Sequence, residues 1–149
     1  MLVYQWKSGA RIRADAQLAG EMCMKMAEEG RLSAKDLLDE SRPVDAPLHD
    51  EFEWDDSLAA ESWRVHQARH IISSLLIVPE KAEPVRGFFK IEQADRNYHS
   101  VTAILSQKDT AQRLFDNAMR ELMAFQRKYH VLEQFNEVWQ AIANIQAAQ

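Results

Sequence analysis

Residues 32–72 read LSAKDLLDESRPVDAPLHDEFEWDDSLAAESWRVHQARHII, and this stretch decides how the N-terminal half of the chain folds. Ser33, followed three residues later by Asp36, is a variant of the capping box that begins a helix. Pro43 and Pro47 prevent that helix from continuing, because proline lacks the backbone N–H that a helix needs. The segment therefore predicts a short helix, a loop and a second, longer helix.

The chain on the N-terminal side of this segment is expected to hold a strand and a further helix. Residues 2–6 (LVYQW) alternate and predict a short strand. Asp15 is a candidate N-cap and Gly30 a C-terminal stop for the first helix. The third helix is predicted to end before Pro79. Its start is expected at one of three residues that can cap it: Asp55, Asp56 or Ser57.

Residues 85–91 (VRGFFKI) and 97–105 (NYHSVTAIL) have an alternating side-chain pattern. Alternation of this kind is typical of half-buried strands, and the polar residues between the two segments suit a turn. We therefore expect an antiparallel hairpin here, to which residues 2–6 could add a strand.

The rest of the chain is expected to be helical. Ser106 with Asp109 resembles another capping box. Across residues 111–129 apolar side chains recur at alternating spacings of four and three, which suits the packing of one helix on another. A second apolar pattern begins at Val131 and is shifted by two residues relative to the first. Either two helices meet near residues 128–131 or one helix presents two faces. We prefer two, since a single helix would be about 60 Å long.

These elements predict an α+β fold that is mostly α-helical. A chain of 149 residues suits one domain with one core. The predicted single domain, residues 1–149, has three parts. They are a three-helix N-terminal part (1–78), a small antiparallel β-hairpin (85–105) and a C-terminal helix or helical hairpin (106–149).

Charge is distributed unevenly along the chain, whose formal net charge is −5. Residues 1–14 carry three bases and no acid, residues 15–62 carry fourteen acids against four bases, and residues 63–149 carry eleven bases against nine acids. Because binding to nucleic acid needs clustered Lys or Arg, the middle of the chain is expected to repel phosphate. The candidate nucleic-acid contacts therefore lie in an N-terminal arm and on a C-terminal face: Lys7, Arg11, Arg13, Arg120, Arg127 and Lys128.

Familiar catalytic signatures are missing from the sequence, which has no GxGxxG, GxxxxGK[ST], GxSxG or HExxH pattern. His66 and His70 lie four residues apart on one predicted helix face, a spacing that can place two imidazoles on a metal, and His49 could join them. No second cluster of ligands completes such a site. We therefore expect no enzyme activity, no metal and no cofactor, with a metal-dependent enzyme built on these histidines as an alternative.

The acidic, aromatic loop within residues 45–56 has two explanations. Its carboxylates can stabilise the N-terminus of the third helix while its aromatic side chains anchor the loop to the core. Alternatively, the loop can engage a basic host or viral protein, because large aromatic side chains also form binding hot spots. The residues of this alternative are Asp50, Glu51, Phe52, Glu53, Trp54 and Asp55.

The C-terminal apolar pattern indicates a surface that packs against protein, and we expect a homo-oligomer. The residues expected to mediate self-association are Phe115, Leu122, Phe125, Phe135, Trp139 and Ile142. Cys23 is the only cysteine and cannot form an internal disulfide, which favours a reducing cytoplasm. Residues 5–7 interrupt any N-terminal apolar run, so no secretory signal is expected. The apolar run at residues 75–78 is far too short to span a bilayer, and no membrane partner is expected.

Several segments together resemble small accessory proteins of tailed bacteriophages and prophages. They are VYQWKSGARIRADAQLAGE (3–21), LSAKDLLDESRP (32–43), APLHDEFEWDDSLAAESWRVHQARHII (46–72), EPVRGFF (83–89) and AFQRKYHVLEQF (124–135). The resemblance implies an accessory protein acting in the cytoplasm of a bacterial host, and it brings no catalytic or binding residue to this chain. The expected function is a non-enzymatic phage protein that self-associates and binds nucleic acid or a nucleoprotein complex. A structural role in a capsid or tail is also open.

Overall fold

The computed structural model describes residues 1–58 and 60–149. Within them the chain forms two compact units, Met1–Ser106 and Gln107–Gln149, which we call the N-terminal unit and the C-terminal unit. The N-terminal unit combines short helices with small antiparallel sheets, and the C-terminal unit is helical. The predicted α+β, mostly α-helical fold class is confirmed.

The elements of each unit follow in chain order. The N-terminal unit contains β1 (Val3–Trp6), α1 (Ala16–Glu28), α2 (Ala34–Glu40), α3 (Glu61–Ser74), β2 (Leu75–Val78), β3 (Val85–Arg86), β4 (Phe88–Phe89), β5 (His99–Ser100) and α4 (Val101–Leu105). The C-terminal unit contains α5 (Lys108–Tyr129) and α6 (Asn136–Ala147).

The first two helices begin at the predicted caps, and the first ends at the predicted Gly30. The Asp15 carboxylate accepts a hydrogen bond from the backbone N–H of Leu18 at 2.9 Å, and the Ser33 hydroxyl accepts one from Asp36 at 3.0 Å. Gly30 has a φ of +71° and follows α1 as the left-handed residue that ends a helix. Local capping chemistry therefore sets these boundaries.

The strand predicted at residues 2–6 is present, but its predicted partner is wrong. β1 pairs antiparallel with β2, and β2 pairs with β3 on its other side. Residues 75–78 are predicted to lie in the third helix, which is expected to end before Pro79. Instead, the Ser74 hydroxyl donates to the His70 carbonyl at 2.6 Å at the end of α3, and Leu75 takes an extended conformation. The chain continues as a central strand, whose Leu75 and Ile77 side chains are buried.

The predicted hairpin is shorter than expected. Phe88 and Phe89 of β4 pair antiparallel with Ser100 and His99 of β5. Gly87 separates β4 from β3, and its N–H donates to the Leu75 carbonyl at 3.0 Å. One predicted strand is thus split between two sheets.

The prediction of a strand across residues 101–105 is wrong, because these residues form α4. The Ser100 hydroxyl accepts a hydrogen bond from the backbone N–H of Ala103 at 3.1 Å and caps the helix. The predicted capping box at Ser106 is also wrong. The Ser106 hydroxyl donates to the Ala103 carbonyl at 2.7 Å at the end of α4, and α5 begins after Gln107 without a side-chain cap.

The third helix begins later than predicted, at Glu61. Asp55 caps a local turn instead, since its carboxylate accepts from both the backbone N–H (2.9 Å) and the hydroxyl (2.6 Å) of Ser57. An Asp side chain that bonds two residues ahead favours a turn over a helix.

The core of the N-terminal unit forms where α1 packs on β1 and α2 packs on α3. Its largest fully buried side chains are Met26, Leu32, Leu37, Leu38, Leu48, Ile71, Ile72, Leu75 and Phe88. In the C-terminal unit, the preferred prediction of two helices is confirmed, because α5 ends at Tyr129 and α6 begins at Asn136.

Candidate functional site

Three of the six candidate cations lie between β1 and α1 in residues 7–13, which we call the basic loop. The side chains of Lys7, Arg11 and Arg13 are exposed. Arg11 has a φ of 57°, a left-handed conformation that costs a residue other than glycine about 1 kcal/mol. A segment holding such a conformation must be fixed by its surroundings.

The surroundings that fix the basic loop are hydrogen bonds to its backbone, which the sequence does not reveal. They are Lys7 N–H to the Ser74 carbonyl (2.9 Å), His70 Nε2 to the Ala10 carbonyl (2.8 Å), and the N–H groups of Arg13 and Ala14 to Glu51 Oε1 (2.9 and 2.7 Å). His70 must donate from Nε2, because a carbonyl oxygen can only accept. These bonds hold the loop backbone in place, while its cationic side chains are exposed to solvent.

The other candidate cations, Arg120, Arg127 and Lys128, lie on α5 in the C-terminal unit. Arg113, Arg120 and Arg127 follow one another at intervals of seven residues and so share one face of the helix. Arg113 pairs with Asp109 at 3.2 Å. Arg127 and Lys128 occupy the last turn of α5, where cations stabilise the helix dipole. These side chains therefore have structural roles as well as a candidate binding role.

The acidic, aromatic loop is closely tied to the rest of the N-terminal unit. Phe52 is buried in the core, and Glu51 is the acceptor that holds the basic loop. Asp50 and Asp55 are exposed. Hydrogen bonds from the Ser57 hydroxyl and backbone N–H lower the pKa of Asp55. Only part of the predicted partner surface is thus available to a partner.

Trp54 closes this loop against helix α3. Its Nε1 donates to the His49 carbonyl at 2.7 Å, and its ring stacks on the His49 ring at 4.9 Å between centroids. The Arg64 guanidinium lies 5.6 Å from the Trp54 ring centre and donates to the Glu53 carbonyl at 2.7 Å and to the Asp56 carboxylate. The bond to Asp56 raises the pKa of Arg64. These contacts favour anchoring as the role of Trp54.

The three histidines considered for metal binding have separate partners. His49 Nδ1 lies 3.0 Å from the Ser41 carbonyl, His66 stacks on Trp63, and His70 holds the basic loop. In residues 1–58 and 60–149, no group of three or more His, Cys, Asp or Glu side chains is placed to hold a metal ion. The described geometry therefore offers no support for the metal-dependent alternative.

The residues predicted for self-association have two different environments. The rings of Phe125, Phe135 and Trp139 contact one another within the C-terminal unit at 5.6 to 6.0 Å between centroids, and Ile142 is buried. Phe115 and Leu122 each remain 37% exposed. Ile142 thus belongs to the interior of the unit and the three rings pack on one another, while Phe115, Leu122 and Phe125, which is 42% exposed, remain accessible on α5.

Both C-terminal helices expose apolar side chains at intervals of seven residues, which places each pair on one helix face. We call Phe115 and Leu122 of α5, with Val138 and Ile145 of α6, the C-terminal apolar surface. The α6 pair is 42% and 41% exposed. The apolar periodicity of the sequence includes both pairs, but only the α5 pair is among the residues predicted for self-association.

A small cleft of about 250 Å³ lies between β1 and α1. Its lining residues are Met1, Leu2, Tyr4, Glu21, Met24, Lys25 and Glu28. Burial raises the pKa of Tyr4 to about 12, so its hydroxyl is protonated at neutral pH. Burial likewise raises the pKa of the nearby Cys23 thiol to about 12. Neither group is poised as a nucleophile.

No known protein family, curated protein or solved structure matches this chain. None of the helices in the described residues is both long and apolar enough to cross a membrane.

Proposed function

We propose that this protein is a non-enzymatic phage or prophage accessory protein that self-associates through its C-terminal unit and binds nucleic acid or a nucleoprotein complex in the cytoplasm of a bacterial host. One observation carries the self-association. Helix α5 has an apolar face, yet none of its 22 residues, all within the described part of the chain, is buried. The phage context is supported by the sequence resemblance alone.

The partner that best fits the C-terminal apolar surface is a second copy of the same surface. A pair of helices has little interior of its own, and two such pairs can bury their exposed faces together as a four-helix bundle with two-fold symmetry. Residues 107–149 carry five bases and five acids. Because the unit has no formal net charge, two copies do not repel each other.

Self-association is tested by light scattering after gel filtration over a range of protein concentrations. We expect the mass of a dimer for the natural sequence and that of a monomer for the double variant Phe115→Glu, Leu122→Glu, since burying two charges costs several kcal/mol. Arg120→Glu is the matched control. It introduces a carboxylate on the same helix away from the apolar face, and should leave the dimer intact. A natural protein that stays monomeric at every concentration refutes the proposal.

Nucleic-acid binding is supported by exposed cations, among them Arg11 and Arg13 of the basic loop. Such binding displaces counterions, so the affinity for a labelled oligonucleotide should fall steeply as salt concentration rises. Fluorescence anisotropy with single-stranded and double-stranded 20-mers measures it. Affinity that is independent of salt would contradict a phosphate-based contact.

A second function, engagement of a basic host or viral protein, is favoured by the exposure of Asp50 and Asp55. The double variant Asp50→Asn, Asp55→Asn should lose such a partner in a pull-down from host lysate. Asp45→Asn serves as the control for a general loss of charge. Retention of every partner by the double variant removes this candidate.

A further inference from the structure

Within the described part of the chain, the cations of the basic loop have no acidic partner, unlike four of the six other arginines of the N-terminal unit. Four arginines of this unit form ion pairs with carboxylates: Arg31, Arg42, Arg64 and Arg96. Among the residues that the structure describes, Lys7, Arg11 and Arg13 form no ion pair. In a chain with an excess of acids, three unpaired cations within seven residues form a local positive surface.

The carboxylates next to the loop are already occupied. Glu51 accepts the backbone N–H groups of Arg13 and Ala14, and Asp15 accepts the backbone N–H of Leu18 at the start of α1. Both acids lower the local positive potential, but they bond to backbone and leave the guanidinium groups unpaired. The same Glu51 bonds fix the loop backbone, so a ligand need not order it.

We propose that the basic loop binds the phosphodiester backbone of nucleic acid, and that its contacts are made by Lys7, Arg11 and Arg13. This inference rests on the nucleic-acid part of the proposed function and assigns it to one site. A guanidinium donates two parallel N–H bonds to phosphate oxygens, and a lysine adds a point charge. Exposed Ser8 and Gly9 leave room for a backbone to approach between the cations.

The row of arginines on α5 is the competing location, and the chain favours the loop over it. Arg113 of that row is paired with Asp109, and the C-terminal unit as a whole carries no formal net charge. Arg127 and Lys128 lie in the last helical turn. By contrast, the cations of the basic loop form no ion pair with any described residue, and they do not lie at the C-terminal end of a helix where they would stabilise its dipole.

The test compares two double variants by fluorescence anisotropy with labelled single-stranded and double-stranded 20-mers. Arg11→Gln, Arg13→Gln should weaken binding by about 10-fold or more near 100 mM salt and should lower the slope of log affinity against log salt by ~0.9 for each lost duplex contact. Arg120→Gln, Arg127→Gln removes the same charge from α5 and should change affinity less than threefold. Arg11→Lys, Arg13→Lys should keep most of the salt slope.

A further variant separates loss of a cation from misfolding of the loop, because it removes the charge without straining the backbone. Arg11→Gly removes one cation at a position whose φ of 57° glycine adopts freely, so the protein should fold at least as well while its affinity falls. Equal losses in the loop and α5 double variants, or no loss in the loop variant, overturn the assignment.

Two further outcomes separate this inference from the self-association proposal. If the natural protein binds no oligonucleotide, the nucleic-acid assignment is wrong; if inorganic pyrophosphate then stabilises the natural protein but not the Arg11→Gln, Arg13→Gln variant, the loop is a small-anion site. If it binds neither, both the assignment and the nucleic-acid part of the proposed function fail. The mass from light scattering is measured on the same samples, so self-association stands or fails independently of either result.

Discussion

Gly20 lies where helix α1 meets the ring of Tyr4. A Cβ atom added at Gly20 would stand 2.1 to 2.4 Å from three atoms of that ring. Tyr4 is 6% exposed, so its ring has little space in which to move. A helix-interior glycine normally costs about 1 kcal/mol relative to alanine, and helix propensity alone predicts that Gly20→Ala stabilises the protein. The steric contact predicts the opposite.

We expect Gly20→Ala to lower the free energy of unfolding by about 1 to 3 kcal/mol, because overpacking outweighs the gain in helix propensity. Urea denaturation followed by circular dichroism measures the change. The control is the same substitution in a Tyr4→Ala background, where the ring is absent and Gly20→Ala should be neutral or stabilising. Equal effects in both backgrounds would show that the ring is not responsible.

Cys23 connects burial to the pH dependence of stability. Its pKa is raised to about 12 by burial, whereas an unfolded cysteine titrates near ~8.5. The folded state then binds more protons than the unfolded state above ~8.5, and the free energy of unfolding falls as pH rises through that window. Tyr4 adds a similar effect only above ~10, since an ordinary tyrosine titrates there.

The prediction for Cys23 is a loss of stability between about pH 8 and 9.5 that is absent from Cys23→Ala. Urea denaturation at several pH values measures the slope, and comparing slopes removes any constant cost of the substitution itself. A soluble thiol reagent should also label the natural protein only as fast as the N-terminal unit opens. Rapid labelling in the native state at pH 8 would show that the thiol is not buried.

At the scale of the element, β1 depends on one side chain of α1. β1 is an edge strand of its sheet in the described residues. The Gln17 amide covers its outer edge, since Oε1 accepts from the Tyr4 N–H at 3.0 Å and Nε2 donates to the Leu2 carbonyl at 2.8 Å. The side chain thus stands in for a neighbouring strand and protects an edge that could pair with another chain.

Gln17→Leu should destabilise the protein by about 1 kcal/mol, because an N–H and a carbonyl at the strand edge lose their partners. It should also increase aggregation on heating, since the edge becomes available for pairing. Thermal denaturation with light scattering measures both effects. Lys25→Leu, an exposed site on the same helix, is the control for added apolar surface. Equal aggregation of the two variants would assign the effect to hydrophobicity instead of the edge.

The starts of α1 and α2 could be predicted from the sequence, whereas the starts of α3 and α5, which have no side-chain cap, and pairings over long distances could not. Asp15 and Ser33 act on residues three positions away, so their caps are visible in the sequence. The apolar run of β2 fits a buried helix or a buried strand equally well. Its partner β1 lies about seventy residues earlier, as the pairing of Val3 with Val78 shows. Periodicity carries no information on that pairing.

The candidate site was predictable to the same extent. The excess of bases in residues 1–14 identified the cations of the basic loop from composition alone. The bonds that hold the loop come from Glu51 and His70. Glu51 is 38 residues from its donor Arg13, and His70 is 60 residues from its acceptor Ala10. Anchoring of the acidic loop by an aromatic side chain was one of the two predicted explanations, and Phe52 is buried in this way, but nothing in the sequence indicated that Glu51 holds the basic loop.

At the scale of the whole molecule, the two units differ in how they obtain stability. The N-terminal unit has a buried cluster of apolar side chains, whereas α6 contributes the one buried residue of the two C-terminal helices, Ile142. The four exposed residues of the C-terminal apolar surface would be buried by a second copy. Mass action then makes the stability of the C-terminal unit depend on protein concentration.

Hydrogen exchange followed by mass spectrometry tests this dependence unit by unit. Peptides from residues 108–147 should exchange more slowly as protein concentration rises 100-fold, by up to about 10-fold, because the monomer fraction falls as the square root of total concentration once the dimer predominates. Peptides covering α1 to α3 should exchange at unchanged rates, because their protection comes from the core of their own unit. In the Phe115→Glu, Leu122→Glu variant the concentration dependence should vanish while the N-terminal peptides keep their protection. Strong, concentration-independent protection of α5 in the natural protein would mean that the helix pair is stable as a monomer, and its exposed face would then need another partner.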